Sequence, residues 1–263
     1  MSPDTIQPTP WGQSEIRGPV HMFRERLLLR QFCALMGDSG RVLDAGCGSG
    51  SLAMDLQKEG FRVDAIERSR EFVATVRHKS ARYGSESHVR VQQASVTSLP
   101  FDDETFDGAV CGEVLEHVLP EDGGDRGAVA ELHRILKARS PLVVSVPLNP
   151  KLWDESDVWA GHVKRYGRDE LVALLEVAGF SIHDVRTWGF PLGRIYHRLL
   201  FGPWVKRTAA MEADERDLRR DTRAAGNRQL VEAVAGLFRF DQLFSRSSLG
   251  RGIVVSARKR QAG

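Results

Sequence analysis

The chain has 263 residues, 41% of them hydrophobic and 27% charged, which is typical of a folded globular protein with one large core, or with a core and a small cap. Its 37 basic and 35 acidic residues give a net charge of +2, so no strong field favours nucleic acid or an anionic surface as partner. Three scattered cysteines predict neither a disulfide framework nor a zinc site, and no apolar run approaches the ~18 residues of a membrane span. The polar, proline-bearing start has no signal-peptide pattern, so we expect a cytoplasmic protein with reduced thiols.

The first half of the chain alternates short apolar runs with helical patterns. A polar stretch over residues 1–15, which we expect to be loosely attached, precedes an amphipathic helix at 21–36. The segments predicted next are strands at 41–45, 62–67 and 89–94, helices at 51–60 and 70–84, and a fourth strand within 106–118 that runs into a loop or short helix.

The second half continues the alternation and adds a long insertion. Its predicted elements are a helix at 128–138, a strand at 141–147, a helix at 167–180 and strands at 181–189 and 252–258. The stretch between the last two strands is too long for a simple connection, so we expect an inserted helical cap whose charged part, 211–223, is a solvated helix face. Strands that alternate with helices predict a parallel sheet covered on both faces.

A glycine turn follows the first predicted strand. The segment "RVLDAGCGSGSLAMDL" places Gly46, Gly48 and Gly50 between that strand and the next helix. Glycines in such a turn let the backbone approach a ligand closely and present its amide groups to it. The spacing is G-x-G-x-G, with Ser51 next, so the turn alone does not distinguish a ligand site from a plain connection.

An acidic residue at the end of the second predicted strand supports the ligand interpretation. Glu67 follows the glycine turn by about 20 residues, where a carboxylate can accept both hydroxyls of a ribose. The alternative is a solvated charge at a strand end. Together with the turn, we favour the ribose role.

Several motifs, in this order, resemble those of class I S-adenosylmethionine-dependent methyltransferases. They are "VLDAGCGSG" at 42–50, "AIERS" at 65–69 and "SLPFDDETFDGAVCGEVLEHV" at 98–118. The resemblance is closest to the subgroup with ubiquinone-biosynthesis-type and natural-product small-molecule methyltransferases. Its later motifs correspond to "SVPLNP" at 145–150, "HVKRYGRDEL" at 162–171 and "LLEVAGF" at 174–180.

This resemblance implies a fold, a domain organisation and a cofactor. The fold is α/β, with a Rossmann-like, doubly wound, mostly parallel seven-stranded sheet and the helical cap inserted between the last two strands. The segments are an N-terminal part with a lid helix over 1–36, a core over 37–192, the cap over 193–245, and the final strand with a tail over 246–263. The cofactor is S-adenosyl-L-methionine, and the acceptor is a small molecule.

The resemblance also assigns roles at the donor site. Asp44 orients the turn and approaches the amino group of the donor, while Ala45, Gly46 and Gly48 pass its methionine part and ribose. Glu67 takes the ribose hydroxyls.

At the adenine end, the resemblance places Arg68 beside the adenine and lets the backbone of Val96 donate to its ring. Ser95 stands where the family usually has an aspartate that accepts the adenine amino group, so we expect this contact to be lost or to pass through water. Glu113 lies near the methionine part of the donor.

Methyl transfer to oxygen or nitrogen also needs a base when the acceptor must lose a proton, and histidine suits that role near neutral pH. His162, in a predicted loop after the fifth strand, is our first candidate, and His117 in "EVLEHV" is its rival; either residue has a purely structural alternative. Candidate substrate contacts are Trp159, Arg165, Tyr166 and Tyr196. The sequence shows no ligand cluster with the spacing of a metal site.

Three functions remain open from the sequence. The first is methylation of an apolar or flat small molecule, at oxygen or alternatively at nitrogen or carbon. The second is methylation of tRNA or protein, against which the near-neutral charge and the lack of a basic stripe speak. The third is a protein that binds S-adenosylmethionine but catalyses another step, such as a cyclisation, or serves as a partner subunit, because a fold does not fix the chemistry. The sequence predicts nothing about oligomeric state.

Overall fold

The computed structural model describes residues 18–82, 89–208 and 228–261. The polar start at 1–15 and the charged stretch at 211–223 lie outside the described residues. Within these ranges, no helix combines the length and apolar character that crossing a membrane requires.

One sheet of seven strands forms the centre of the described fold. The strands are β1 (Arg41–Ala45), β2 (Arg62–Glu67), β3 (Val89–Gln93), β4 (Gly108–Gly112), β5 (Pro141–Pro147), β6 (Phe180–Trp188) and β7 (Gly252–Lys259). They lie in the order β3-β2-β1-β4-β5-β7-β6. The first five strands pair in parallel, whereas β7 is antiparallel to both β5 and β6. The prediction of a mostly parallel, seven-stranded, Rossmann-like sheet is confirmed.

Helices connect the strands. In the described ranges they are α1 (Pro19–Met36), α2 (Ser51–Lys58), α3 (Arg70–Arg82), α4 (Gly124–Ile135), α5 (Glu155–Ala160), α6 (Arg168–Val177), α7 (Leu192–Tyr196), α8 (Gly202–Thr208) and α9 (Arg228–Leu237). Helices α4 and α5 differ most from the predictions. Helix α4 begins four residues before the predicted helix at 128–138, and α5 occupies a stretch for which the sequence predicts no element.

The sheet is buried on both faces because successive residues of a strand point to opposite sides. Val42 and Val143 pack into the core under α1, α2 and α9, whereas Leu43 and Val144 pack into the core under α4 and α6. All seven residues of β5 are buried. Burial on both faces explains why these strands are continuous apolar runs in the sequence.

The order of the strands creates a crevice at one edge of the sheet. The chain runs outward from β1 through β2 to β3 and then returns to β4 on the other side of β1. Ligands of open α/β sheets bind beyond the carboxyl ends of the strands at such a reversal. The loops after β1, β2, β4 and β5 all leave this edge, so the motifs in them meet there.

Two helical segments border the crevice. One is α1, and the other lies between β6 and β7: α7, a π-helical turn (His197–Phe201), α8, α9 and a 3-10 segment (Phe238–Phe244). The rings of Phe23 on α1 and Phe238 lie edge to face with centroids 6.0 Å apart, and the ring of Tyr196 lies 5.6 Å from that of Phe238. Residues 209–227 of the predicted cap are outside the described ranges, and the role of the whole segment as a cap remains a proposal.

Candidate active site

A cavity of about 700 Å³ fills the crevice at the carboxyl edge of the sheet. Its walls come from the loops after β1, β2, β4 and β5, from α1, and from the segment between β6 and β7. The volume lies in the range of small-molecule sites. The cavity is continuous from the glycine turn at one end to the aromatic residues Tyr196 and Phe201 at the other.

The glycine turn forms one wall of the cavity. Gly46, Gly48 and Gly50 have φ angles of 79°, 51° and 78°, a region that favours glycine. A Cβ on Gly46 would lie 2.4 Å from a methyl group of Val114, so close packing also requires glycine there. A Cβ on Gly48 would meet no protein atom within 4 Å, because this residue borders the open cavity. The backbone at Gly48 is therefore open to a ligand.

Glu67 lies at the end of β2 and is fixed to the glycine turn. Its Oε2 accepts a hydrogen bond of 2.9 Å from the backbone N–H of Gly48, and its Oε1 accepts one of 2.9 Å from that of Ser69. A carboxylate oxygen has a second lone pair, so both oxygens can still accept a hydroxyl group from the cavity. The two features that the sequence pairs are thus in direct contact, in a geometry that fits a ribose.

Asp44, at the end of β1, is a buried carboxyl group with an unsatisfied oxygen. Only 2% of the residue is exposed, and its Oδ2 has no hydrogen-bond partner among the described residues. Burial, aided by the charges of Glu25 and Glu67, raises the pKa of Asp44 to about 8. Because a buried polar oxygen without a partner is costly, a cationic group in the cavity would satisfy it. The residues present therefore fit the amino group of S-adenosylmethionine.

At the end of the cavity predicted to hold the adenine, the polar side chains already have partners within the protein. Ser95, Val96 and Arg68 all line the cavity. The hydroxyl of Ser95 is 2.8 Å from that of Thr97, so it already has a local partner. Arg68 pairs with Asp122 at 3.1 Å. That the adenine contact at Ser95 is lost or passes through water stays a prediction.

Helix α1 supplies polar groups to which the sequence analysis gave no role. Arg24 Nη1 lies 3.6 Å from Oε2 of Glu113, which lines the cavity and has a positive φ of 56°. The other oxygen of Glu113 accepts a hydrogen bond of 2.9 Å from the hydroxyl of Ser145. Glu25 accepts a hydrogen bond of 2.7 Å from Ser51 in the first turn of α2. The only sequence signal for these contacts is the polar segment "HMFRER" in the predicted lid helix.

The two candidate histidines, treated as rivals in the sequence, lie against each other in the cavity wall. The rings of His117 and His162 are edge to face, with centroids 4.9 Å apart. Nδ1 of His117 is 3.0 Å from the carbonyl oxygen of Gly161, and Nδ1 of His162 is 2.8 Å from Oδ1 of Asp157. Burial, aided by His162, lowers the pKa of His117 to about 4.

Glu116 joins this pair, and the three residues form a group that the sequence analysis did not predict. One ligand atom from each of Glu116, His117 and His162 lies within 4.8 Å of the other two. Glu116 is fully buried, and both of its carboxyl oxygens are without a hydrogen-bond partner among the described residues. Burial, and then the charge of Glu113, raise the pKa of Glu116 well above its usual value. The sequence missed the group because His162 is far along the chain from the other two residues.

The guanidinium group of Arg165 is fixed by hydrogen bonds within the protein. Its Nε lies 2.8 and 2.9 Å from the two carboxylate oxygens of Asp157, and its Nη1 donates to the carbonyl oxygen of Leu148 at 3.1 Å. Both side chains of this ion pair are buried. Arg165 borders the cavity, but its guanidinium orients Asp157 and, through it, His162.

Three predicted site residues do not line the cavity. Ala45 is completely buried beneath the turn. Tyr166 is also completely buried, and its hydroxyl donates to Asp125 at 2.9 Å, so the prediction of a substrate contact is wrong for this residue. Trp159 packs edge-on against Phe201 and Trp204 behind the wall instead of facing the cavity.

The remaining wall consists mainly of aromatic residues from the segment between β6 and β7. Tyr196, a predicted substrate contact, lines the cavity together with Phe201, Phe238 and Trp188 at the end of β6. Arg251, just before β7, also borders it. Neither Phe238 nor Arg251 belongs to a motif that the sequence analysis identified. The pairing of β7 with β5 and β6 brings Arg251 to this edge, and Phe238 lies against Phe23 and Tyr196.

Comparison with known proteins agrees with the donor half of this site. Residues 43–144, which include the glycine turn, Glu67 and Glu116, match the family model described as a methyltransferase domain.

Two similar proteins carry the name O-methyltransferase. The chain is 31% identical over 150 residues to O-methyltransferase cnsE of Penicillium expansum, which is 55% of this chain and 53% of that protein. It is 28% identical over 211 residues to the ubiquinone biosynthesis O-methyltransferase of Xanthomonas axonopodis pv. citri, which is 75% of this chain and 81% of that protein. The chain thus spans about half the length of the first relative.

A solved structure with the same fold is that of the [4+2]-cyclase SpnF. It superposes with a TM-score of 0.65 and 19% sequence identity, and the match covers 96% of this chain and 86% of SpnF. At this identity the likeness concerns the fold.

Proposed function

We propose that the chain is a class I S-adenosylmethionine-dependent methyltransferase, since residues 43–144 match a methyltransferase domain, and that it methylates an oxygen of an apolar or flat small molecule bound in this cavity. One observation carries the proposal: a single cavity joins the glycine turn and Glu67 to the histidine pair and then to an aromatic wall. A donor and an acceptor bound side by side in it would have the histidines between them.

The donor half fits S-adenosylmethionine, whose sulfonium supplies an activated methyl group when the donor is bound. Glu67 accepts the ribose hydroxyls, and the unsatisfied oxygen of Asp44 accepts from the amino group. Gly48 lets the backbone approach the ligand, and Glu113 lies beside the methionine part. The task of these residues is to align the reacting groups and exclude water.

His162 is the residue that we propose to contact the acceptor and take its proton. Nδ1 faces a carboxylate oxygen of Asp157, which can only accept, so the tautomer consistent with this contact places the proton on Nδ1. Nε2 is then free to accept a proton from a hydroxyl group. Arg165 positions Asp157, and His117 packs against the ring of His162.

The aromatic end of the cavity supports the class of acceptor. Tyr196, Phe201 and Phe238 offer flat apolar surfaces, which suit an aromatic or apolar molecule better than a small polar one. The cover formed by α1 and the segment between β6 and β7 favours a small molecule over tRNA or a protein chain. The names of the two O-methyltransferase relatives support oxygen as the methylated atom.

The test is incubation of the purified chain with methyl-labelled S-adenosylmethionine and an extract of its host. We expect label in a small molecule whose new methyl group is on oxygen. His162→Ala should lower the rate by at least about 10²-fold, as expected for loss of a general base. His183→Ala, a change of an exposed histidine on β6, is the matched control and should keep the full rate.

Other outcomes would contradict the proposal. Label in RNA or protein would assign the chain to macromolecular methylation. Donor binding without any transfer would favour a non-methylating step or a role as partner subunit, and label on nitrogen or carbon would refute the choice of oxygen.

A further inference from the structure

Charge is divided between the two ends of the cavity. The end at the glycine turn is bordered by the carboxyl groups of Glu25, Asp44, Glu67, Glu113 and Asp122. Toward the aromatic wall, Arg165 and Arg251 border the cavity, whereas their carboxylate partners, Asp157 and Asp154, do not. The acidic end suits the cationic groups of the donor, so the basic residues are left to face the acceptor.

Asp241 is the acidic residue that borders the cavity at the aromatic end of the described structure. Its two carboxyl oxygens already accept backbone N–H groups, from Leu192 at 2.8 Å and from Gly193 at 3.0 Å. Burial raises the pKa of Asp241 above its usual value. This carboxyl group is therefore engaged by the backbone of α7 and does not pair with either arginine.

The guanidinium group of Arg251 is only partly satisfied by the protein. Its Nη2 lies 3.5 Å from Oδ2 of Asp154, and the described residues offer this group no shorter contact. The same oxygen of Asp154 is 2.8 Å from Nε2 of His197, so Arg251 shares its partner. Only 13% of the Arg251 side chain is exposed. A buried charge with one long, shared contact is costly, and an anionic group in the cavity would compensate it.

The backbone of Arg251 is fixed, and its side chain keeps its charge. Its N–H donates to the carbonyl oxygen of Trp188 at 2.8 Å, and its own carbonyl oxygen accepts from the N–H of Leu148 at 2.8 Å. Burial, and then the charge of Arg165, lower the pKa of Arg251 to about 10. The group is therefore still positive near neutral pH. A donor fork that is held in place before a ligand arrives loses little freedom on binding.

We propose that the acceptor is a carboxylic acid, whose carboxylate binds Arg251 while its hydroxyl group faces His162. The planar guanidinium fork matches the two oxygens of a carboxylate. Arg165 is already bound to Asp157, so this end offers one uncommitted charge, which suits a carboxylate better than a diphosphate.

A run of contacts places both groups along one side of the cavity. Nη1 of Arg165 is 3.4 Å from the carbonyl oxygen of Arg251, and Asp157 joins Arg165 to His162. A flat acid could therefore meet Arg251 and His162 together. The inference rests on the proposed function in naming this ligand the acceptor, but binding of the acid can be measured without turnover.

The test compares an acid with its neutral ester in the full chain saturated with S-adenosylhomocysteine. The probes are para-coumarate and its methyl ester, which share a flat body and a phenolic hydroxyl group but differ in charge. We expect calorimetry to show that the acid binds at least about tenfold more tightly than the ester, because only the acid forms a charge-assisted pair with Arg251.

Variants locate the carboxylate. Arg251→Met should lower the affinity for para-coumarate at least about tenfold and leave that for the ester within about twofold, whereas Arg251→Lys, which keeps the charge without the fork, should lie between. Arg246→Met, at an exposed arginine shortly before β7, is the matched control and should bind both probes like the unchanged chain. Circular dichroism and titration with S-adenosylhomocysteine show whether each variant is folded.

The unchanged chain decides the matter even if Arg251→Met fails to fold. Equal affinity for the acid and the ester, or binding of neither, would overturn the proposal, and so would a folded Arg251→Met that still prefers the acid. Methyl transfer to a neutral small molecule would overturn it as well but keep the proposed function. A preference for the acid that depends on Arg251, in a chain that transfers no methyl group, would support the carboxylate site and contradict only the proposed function.

Discussion

The carboxylate of Glu67 holds the backbone of Gly48 and faces the cavity, so we expect it to connect the donor to the glycine turn. We predict that Glu67→Ala lowers the affinity for S-adenosylmethionine at least tenfold by calorimetry, since a hydrogen bond to a charged group contributes about 1.5–3 kcal/mol. Glu71→Ala, at an exposed position in the first turn of α3, should leave the affinity unchanged. Unaltered binding by Glu67→Ala would contradict the donor site.

Asp44 should couple donor binding to pH. Its pKa is raised from 3.8 to about 8 in the folded chain, so near pH 6.5 it is mostly protonated. The ammonium group of the donor favours the ionised form, and we predict release of about one proton on binding at that pH. Calorimetry in two buffers of different ionisation enthalpy measures the release, which Asp44→Asn should abolish. Binding without proton release by the unchanged chain would contradict the role of Asp44.

The raised pKa of Asp44 also makes the stability of the folded chain depend on pH. A carboxyl group whose pKa is higher in the folded than in the unfolded chain binds its proton more tightly when folded. The contribution of Asp44 to the free energy of unfolding is therefore fully present below about pH 4 and is lost as the pH rises towards 8.

Among the elements, α5 depends on a buried ion pair for its position. Asp157 on α5 binds Arg165, and both side chains are almost completely buried. We predict that Arg165→Met lowers the free energy of unfolding by about 3–5 kcal/mol, because it removes the guanidinium that balances the charge of a buried carboxylate. Urea denaturation measures the change. Arg168→Met, at an exposed position at the start of α6, should change stability by less than about 0.5 kcal/mol. If Arg165→Met lowered the free energy of unfolding by no more than Arg168→Met does, the ion pair between Asp157 and Arg165 would not be stabilising.

The strands could be predicted from the sequence because burial on both faces gives each one a local signature. Helix α5 could not, since six residues are too few for a helical period to show. Its start has a signal that the prediction did not use: Asp154 and Asp157 form a capping box. The long helix α4 was found, but its glycine-rich first turn hid its beginning.

The donor half of the site was also predictable, because Asp44, Gly46 and Gly48 are adjacent in sequence and Glu67 follows at a regular distance. The acceptor half was not. It depends on contacts between residues that only the folded chain brings together, such as Glu116 with His162. Residues adjacent in sequence can also lie in different places. Arg165 borders the cavity, whereas its neighbour Tyr166 points into the core.

At the scale of the whole molecule, two segments that are distant in sequence border the cavity and contact each other. Phe238 is 4% exposed and lies between Phe23 on α1 and Tyr196 on α7. We predict that Phe238→Ala raises the KM for the acceptor about tenfold or more, because it opens the apolar wall, while donor affinity stays within about twofold. Phe240→Ala, at a residue that is 62% exposed, is the control. Equal KM values in the two variants would contradict a covering role for this segment.

We propose that one cavity holds the methyl donor on the glycine turn with its reactive end directed at His117 and His162. A crystal structure of the chain with S-adenosylhomocysteine would test this placement. We expect the ribose hydroxyls at Glu67, the amino group at Asp44 and the sulfur atom on the side of the histidine pair. A ligand bound elsewhere, or one whose sulfur faces away from the aromatic wall, would contradict this placement of the donor.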